Sequence, residues 1–126
     1  GFRPLHACSC SKVIAAYADN DFQKEVVNAP LKSYTDHTKQ SPDVLIEEFA
    51  AIREVGYAEC IEEIEVGVSS VAAPIRIGSI GAPFSIGVTG PIRRFTPKRR
   101  SKIGLELSNM ALKVSSALQV QNPLFY

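Results

Sequence analysis

Apolar residues recur at helical spacing in four blocks of the chain and alternate with small or polar residues in three shorter ones. Val13, Ile14, Ala16 and Tyr17 form the first helical block, with Ser9 or Ser11 placed to cap it. Asp19-Asn20-Asp21 ends that helix and caps a second, carrying Phe22, Val26 and Val27. Asn28-Ala29-Pro30 stops the second, because proline cannot continue a helix. Residues 31–40 are polar and irregular. Ser41-Pro42-Asp43 then supplies a capping hydroxyl, a first-turn proline and an acid at the positive helix end. It predicts a helix burying Val44, Leu45, Phe49 and Ile52 and stopping at Gly56. Residues 57–64 read as a strand. Residues 68–77 and 83–89 read as two more, joined by the glycine-bearing loop Gly78-Ser79-Ile80-Gly81-Ala82. Thr96-Pro97 opens a last helix with the stripe Ile103, Leu107, Met110, Val114 and Leu118. Residues 119–126 contain Asn122-Pro123 and read as a loose tail.

The hairpin has an unusual face. Phe84, Ile86 and Val88 alternate with Ser85, Gly87 and Thr89, while Ser70 and Ala72 oppose Val71, Ala73, Ile75 and Ile77. So small a face implies that something packs closely on it. A helix and a ligand both satisfy that. Ser70 and Thr89 share the face only in one hairpin register, since a one-residue slip separates them.

With 126 residues, 45% hydrophobic and 21% charged, the chain is the size and composition of one globular domain. No repeat or low-complexity stretch divides it, so residues 1–118 read as one unit and 119–126 as its tail. A net charge of +1 does not fit a protein that coats nucleic acid. No apolar run approaches the roughly 20 residues of a membrane helix, and the first residues lack the features of a signal peptide. Three cysteines are an odd count and read as reduced thiols of a cytoplasmic protein.

Candidate chemistry is sparse. His6, Cys8, Cys10 and Cys60 do not have a zinc spacing, and buried cysteine behaves as a small hydrophobe. No metal and no cofactor are expected. Cys8 with His6 is the one nucleophile–base pair, and nothing orients it, so no enzyme is expected. A reactive thiol at Cys8 or Cys10 would reopen that question. His6 is expected to bond a backbone group, and His37 to be solvated. Glu59, Glu62, Glu63 and Glu65 read as a solvated rim. Arg93, Arg94, Lys98, Arg99, Arg100 and Lys102 crowd positive charge at a helix start, which is unfavourable there. Solvent, phosphates or the acidic rim of a neighbour would relieve it.

Five segments resemble one family. Leu5-His6-Ala7, followed by small residues and Lys12, resembles the entry to a helix in effector domains of IclR-type bacterial transcriptional regulators. Ile46-Glu47-Glu48-Phe49-Ala50-Ala51-Ile52-Arg53-Glu54-Val55-Gly56-Tyr57-Ala58 is similar to the helix-to-strand segment of that domain. Val66-Gly67-Val68-Ser69-Ser70-Val71-Ala72-Ala73-Pro74-Ile75 resembles its central strand, Ile86-Gly87-Val88-Thr89-Gly90-Pro91 its last strand, and Phe95-Thr96-Pro97 the start of its last helix. The resemblance runs in order from about residue 3 to about residue 118.

The resemblance implies an α+β fold, GAF- and profilin-like: an antiparallel sheet with flanking helices, lying on one side of it. The family's winged helix-turn-helix, which binds DNA, and the first effector-domain strands would precede residue 1, so the domain is expected to be incomplete in this chain. A missing or partner segment would then cover the bared sheet edge. The implied function is sensing of a small organic acid that modulates DNA binding through the absent domain. Homo-dimers or homo-tetramers are implied, with Phe2, Leu124, Phe125 and Tyr126 as candidate contacts. The alternative is a stand-alone GAF-like module that binds a small molecule without a DNA partner. The resemblance also implies the site. Backbone amides of Ser9 and Cys10 would hold the acid's carboxylate, as a helix N-terminus can. Cys60 stands where many members have aspartate, Ser70 where they have cysteine, and Gly87 and Thr89 where they have serines. The missing charge at Cys60 and the room at Gly87 point to a larger, more apolar acid, such as an aromatic one.

Overall fold

The computed structural model describes residues 5–78 and 81–121. The elements are α1 (Ser9–Ala16), α2 (Asn20–Asn28), α3 (Pro42–Val55), β1 (Ala58–Ile61), β2 (Val68–Ile75), β3 (Phe84–Pro91), a 3-10 turn (Ile92–Arg94) and α4 (Pro97–Gln121). The three strands form an antiparallel sheet in the order β1-β2-β3. The fold is therefore α+β, but the helices are not confined to one side. Side chains alternate along a strand, and both faces of this sheet are apolar or small enough to be covered. Val71, Ala73, Ile75 and Ile86 meet Ile103, Leu107 and Ala111 of α4. Ala58 and Ala72 meet Val13, Ala15 and Ala16 of α1, with Leu45, Phe49 and Ile52 of α3 and Val26 and Val27 of α2 in the same core.

Local signals place most of the element ends. Asp19 Oδ1 accepts the Phe22 N–H at 2.8 Å and caps α2, and Gly56 closes α3 at φ 89°, where a side chain is disfavoured. Neither Ser9 nor Ser11 caps α1; Cys8 does, and both serines lie inside the helix. Val44 is 44% exposed, so the buried face of α3 is Leu45, Phe49 and Ile52. β1 ends at Ile61, short of residue 64, because Glu62 turns the chain at φ 57°. β2 stops at Ile75 and β3 runs on to Pro91, a shift of the hairpin by two residues against the expected ends.

α4 departs most from expectation. It continues to Gln121, so residues 119–121 are helical. Its inward face is Gly104, Leu107, Ala111 and Ser115, while Met110 and Val114 point outward at 48% and 36% exposure. Small residues win the contact because they let the helix sit close: a methyl at Gly104 would stand 2.6 Å from the Tyr57 ring. β3 pairs with β2 alone among the described strands, and Phe84 and Val88 are exposed along it. Phe2, Leu124, Phe125 and Tyr126, and the loop residues Ser79 and Ile80, lie outside the described residues.

Candidate functional site

The register answers the question left by the hairpin. Ser70 pairs with Cys60 on one side and Thr89 on the other, and Ala72 pairs with Ala58 and Gly87. These residues share the face that receives α1. Ser9 and Ser70 share a hydrogen bond of 2.6 Å between their hydroxyls, buried in the contact. A methyl at Gly87 would stand 2.8 Å from Cys10 Sγ, 3.1 Å from the Val71 carbonyl oxygen and 3.3 Å from Ala72 Cβ. Gly87 is thus the place where the sulfur of α1 rests on β3. The room expected there for a larger ligand is taken by Cys10, so only Cys60 still argues for an apolar acid. The six residues expected at the site do converge, with Thr89 exposed at the margin and Cys60 and Ser70 at 4% and 8% exposure.

The three thiols differ in character. Cys60 is held above the ordinary thiol range, first by burial and then by the Glu63 carboxylate, against the opposing pull of the Glu63 backbone, Lys12 and Ser70. It is a neutral, buried thiol. Cys8 is pulled down to about 5. The Cys10 thiol is the largest cause; the main-chain N–H groups of Ser11 and Cys10 add to it, and burial opposes it. The Cys8 sulfur therefore faces the same first-turn amides that an effector carboxylate would use.

Beside this face lies a buried charge cluster that the sequence did not disclose. Lys12 is fully buried, its Nζ 2.7 and 2.8 Å from the Glu63 carboxylate oxygens and 2.6 Å from Glu48 Oε1. Lys39 also pairs with Glu48 and lies 3.6 Å from Glu63 Oε2. Burial disfavours the Lys39 ammonium, but Glu48 and then Glu63 outweigh it and hold its pKa above the ordinary value. Two cations and two anions balance, and they tie α1, α3, the 31–40 segment and the turn after β1 together. That turn is further fixed by Thr35 and Thr38, whose hydroxyls donate to the Glu62 and Glu63 carbonyls at 2.5 Å. Glu63, expected on a solvated rim, is 2% exposed. A groove of about 480 Å³ opens beside it between α3 and β1, lined by Lys39, Glu48, Tyr57, Ile61 and Glu63 among others, and by none of the six expected site residues.

Other expectations resolve simply. His6 Nε2 donates to the Lys32 carbonyl at 2.8 Å, the backbone bond foreseen for it. Arg100 is neutralised within the chain by Glu59 at 2.6 Å, not by a neighbour. Arg93, Arg94, Lys98, Arg99 and Lys102 line an open pocket of about 270 Å³ with Thr96. Among the described residues no group of three His, Cys, Asp or Glu side chains is placed to hold a metal ion, and no helix is long and apolar enough to cross a membrane.

Residues 2–116 match the family of the bacterial transcriptional regulator IclR C-terminal domain. The chain belongs to the IclR family. It is 37% identical over 92 residues to the glycerol operon regulatory protein of Streptomyces coelicolor, covering 73% of this chain and 36% of that protein. Among solved structures, the IclR of Thermotoga maritima superposes with a TM-score of 0.83 at 31% identity, over 90% of this chain and 47% of that one. The inducer-binding domain of PobR from Acinetobacter, a double mutant in complex with 3-hydroxybenzoic acid, superposes with a TM-score of 0.80 at 26% identity, over 90% and 66%. The chain spans less than half the length of the curated relatives it matches.

An IclR-type C-terminal domain is the regulatory part of a transcriptional regulator, not an enzyme. That fits a site of hydroxyls and thiols without an oriented base. What sequence reasoning missed in this IclR domain is the Lys12 cluster. One signal was present: Lys12 is the only charged residue of an eight-residue helix and is followed by Val13 and Ile14. A lone cation on so short and apolar a helix asks for a buried partner.

Proposed function

We propose that this IclR domain senses a small organic acid and that the acid shifts a DNA-bound regulator between two states. The observation that carries the reading is the Ser9–Ser70 hydroxyl pair, which joins the first turn of α1 to the Cys60–Ser70–Thr89 row. An acid bound at that seam contacts helix and sheet at once. Displacing the Ser9–Ser70 contact changes how α1 sits, and a ligand shifts an equilibrium only by binding one arrangement better. Cys60 and Ser70 line the sheet side, Thr89 the margin, Gly87 the support under Cys10, and the Ser9 and Cys10 amides the carboxylate. With a neutral thiol at Cys60 the preferred effector is an aromatic acid, and the PobR domain bound to 3-hydroxybenzoic acid supports that class. DNA is reached through a winged helix-turn-helix of the whole regulator, which works in the cytoplasm as a homo-dimer or homo-tetramer. Leu105, Met110 and Leu112, between 48% and 64% exposed on the outer side of α4, favour self-association.

A thermal-shift screen of organic acids on the complete regulator tests this. An acid at about 100 times its Kd adds about 2.7 kcal/mol of stability. Stabilisation by benzoates that disappears in Ser70→Phe supports the reading. Tight binding of glyoxylate or pyruvate and none of aromatic acids defeats the effector class; silence from every acid defeats the sensor itself.

A further inference from the structure

Cys8 and Cys10 are two residues apart at the start of α1, both only partly buried, and their sulfurs touch. Cys8 is the cap residue, with its sulfur against the main-chain N–H groups of Cys10 and Ser11. Cys10 sits in the helix with its sulfur on the bare backbone of Gly87. Cys60, by contrast, is buried under α1 at 4% exposure. We propose that Cys8 and Cys10 are a hydroperoxide-responsive dithiol, Cys8 being the attacking sulfur and Cys10 the resolving one.

The chemistry balances without a metal or a second protein. The Cys8 thiolate attacks one oxygen of a hydroperoxide, the O–O bond breaks, and Cys8 becomes a sulfenic acid while an alkoxide or hydroxide leaves and takes a proton from water. The Cys10 sulfur, losing its proton to solvent, then attacks the Cys8 sulfur. The S–S bond forms and the sulfenic oxygen leaves as water. Two thiols are oxidised by two electrons, and the peroxide is reduced. The amides and the Cys10 thiol around Cys8 favour its thiolate, which is the reactive form. The disulfide draws Cys10 off Gly87 and removes the anionic sulfur from the first turn of α1. Oxidation therefore changes the helix–sheet seam whether or not an acid binds there.

The first arm of the test is alkylation of the reduced chain with iodoacetamide at pH 6. With a pKa near 5 against an ordinary 9.0, the thiolate fraction rises about 900-fold at pH 6 while nucleophilicity falls about 60-fold. Cys8 is expected to react on the order of tenfold faster than a free peptide thiol, and Cys60 more slowly than either. The second arm is stoichiometric hydrogen peroxide followed by peptide mass mapping. The expected product joins Cys8 to Cys10 within one chain and leaves Cys60 alkylatable. In Cys10→Ser the reaction stops at a Cys8 sulfenic acid that dimedone traps. Cys8→Ser retains a good helix cap and so its fold, and it should leave Cys10 unoxidised. The proposal is overturned if Cys60 is the first thiol lost, if the disulfide joins two chains, or if Cys10 oxidises as fast in Cys8→Ser.

Discussion

On one face of the sheet, α4 meets Val71, Ala73 and Ile75 through Ile103, Leu107 and Ala111, all apolar contact. On the other, the first turn of α1 meets Ser70 through a hydroxyl pair and Gly87 through a sulfur, with a buried lysine one turn further on. The apolar face holds by area removed from water, which tolerates no easy rearrangement because interiors are close-packed. The α1 face holds by a few directional contacts between small groups. Such contacts can be exchanged for those of a ligand at little net cost, since each hydrogen bond contributes only about 1 kcal/mol. α4 is the support and the α1 seam is the part built to change.

The largest expected effect is at Lys12. Lys12→Met leaves Glu48 and Glu63 sharing only Lys39, which stands at the edge of the cluster. Loss of about 3–5 kcal/mol is expected in urea denaturation, the cost of stranding a buried charge. Lys12→Met with Glu63→Leu should recover much of it, because an apolar pair replaces a buried ion pair at little cost. No recovery would mean that the cluster fixes the α1 seam by its geometry and not by its charge balance.

Next comes Leu107→Ala on the opposite face, expected to cost roughly 2–5 kcal/mol by leaving a cavity. It sharpens the comparison because the Cys8 alkylation rate should stay as in the wild type. A changed rate would show the two faces to be coupled.

Gly87→Ala is smaller again. The added methyl meets Cys10 Sγ at 2.8 Å, so a loss of about 1–3 kcal/mol is expected. Combining it with Cys10→Ala should give less than the sum of the two single losses, since they share one contact. Part of the loss should remain, because the Val71 carbonyl is also only 3.1 Å away. Additive losses in denaturation would show that the sulfur does not define the room at Gly87.

Elements whose boundaries are set by neighbours in sequence were legible. Asp19, the Ser41-Pro42-Asp43 start and Gly56 bracket their helices as read, since capping and φ preferences act within a few residues. The order of the strands and the pairing of Ser70 with Thr89 also followed from alternation. The inward face of α4 did not. Periodicity weighs residues by hydrophobicity and so chose Met110 and Val114, whereas close approach to Tyr57 selected Gly104, Ala111 and Ser115. The site residues came from resemblance, but what Gly87 is for depended on a sulfur 77 positions earlier. Glu63 sits among acids that local reading assigns to solvent, and only the fold brings Lys12 to it.

The smallest effect expected is a pH dependence carried by Cys8. Its folded-state pKa lies near 5 and its unfolded value near 9.0, so the folded chain favours the thiolate. The sign follows from linkage: the stabilisation is complete above the unfolded pKa, declines as pH falls below it, and is gone once pH passes below the folded pKa. Between pH 9 and pH 5 the wild type should therefore lose stability relative to Cys8→Ser, whose hydroxyl does not titrate. Taking the difference between the two removes the contribution of every group they share. The sulfur is only half-buried, so water screens the effect and it should stay below that of Gly87→Ala. A flat difference in chemical denaturation across that range would mean that Cys8 is an ordinary thiol. The α1 seam would then hold through Ser9, Ser70 and the Lys12 cluster alone.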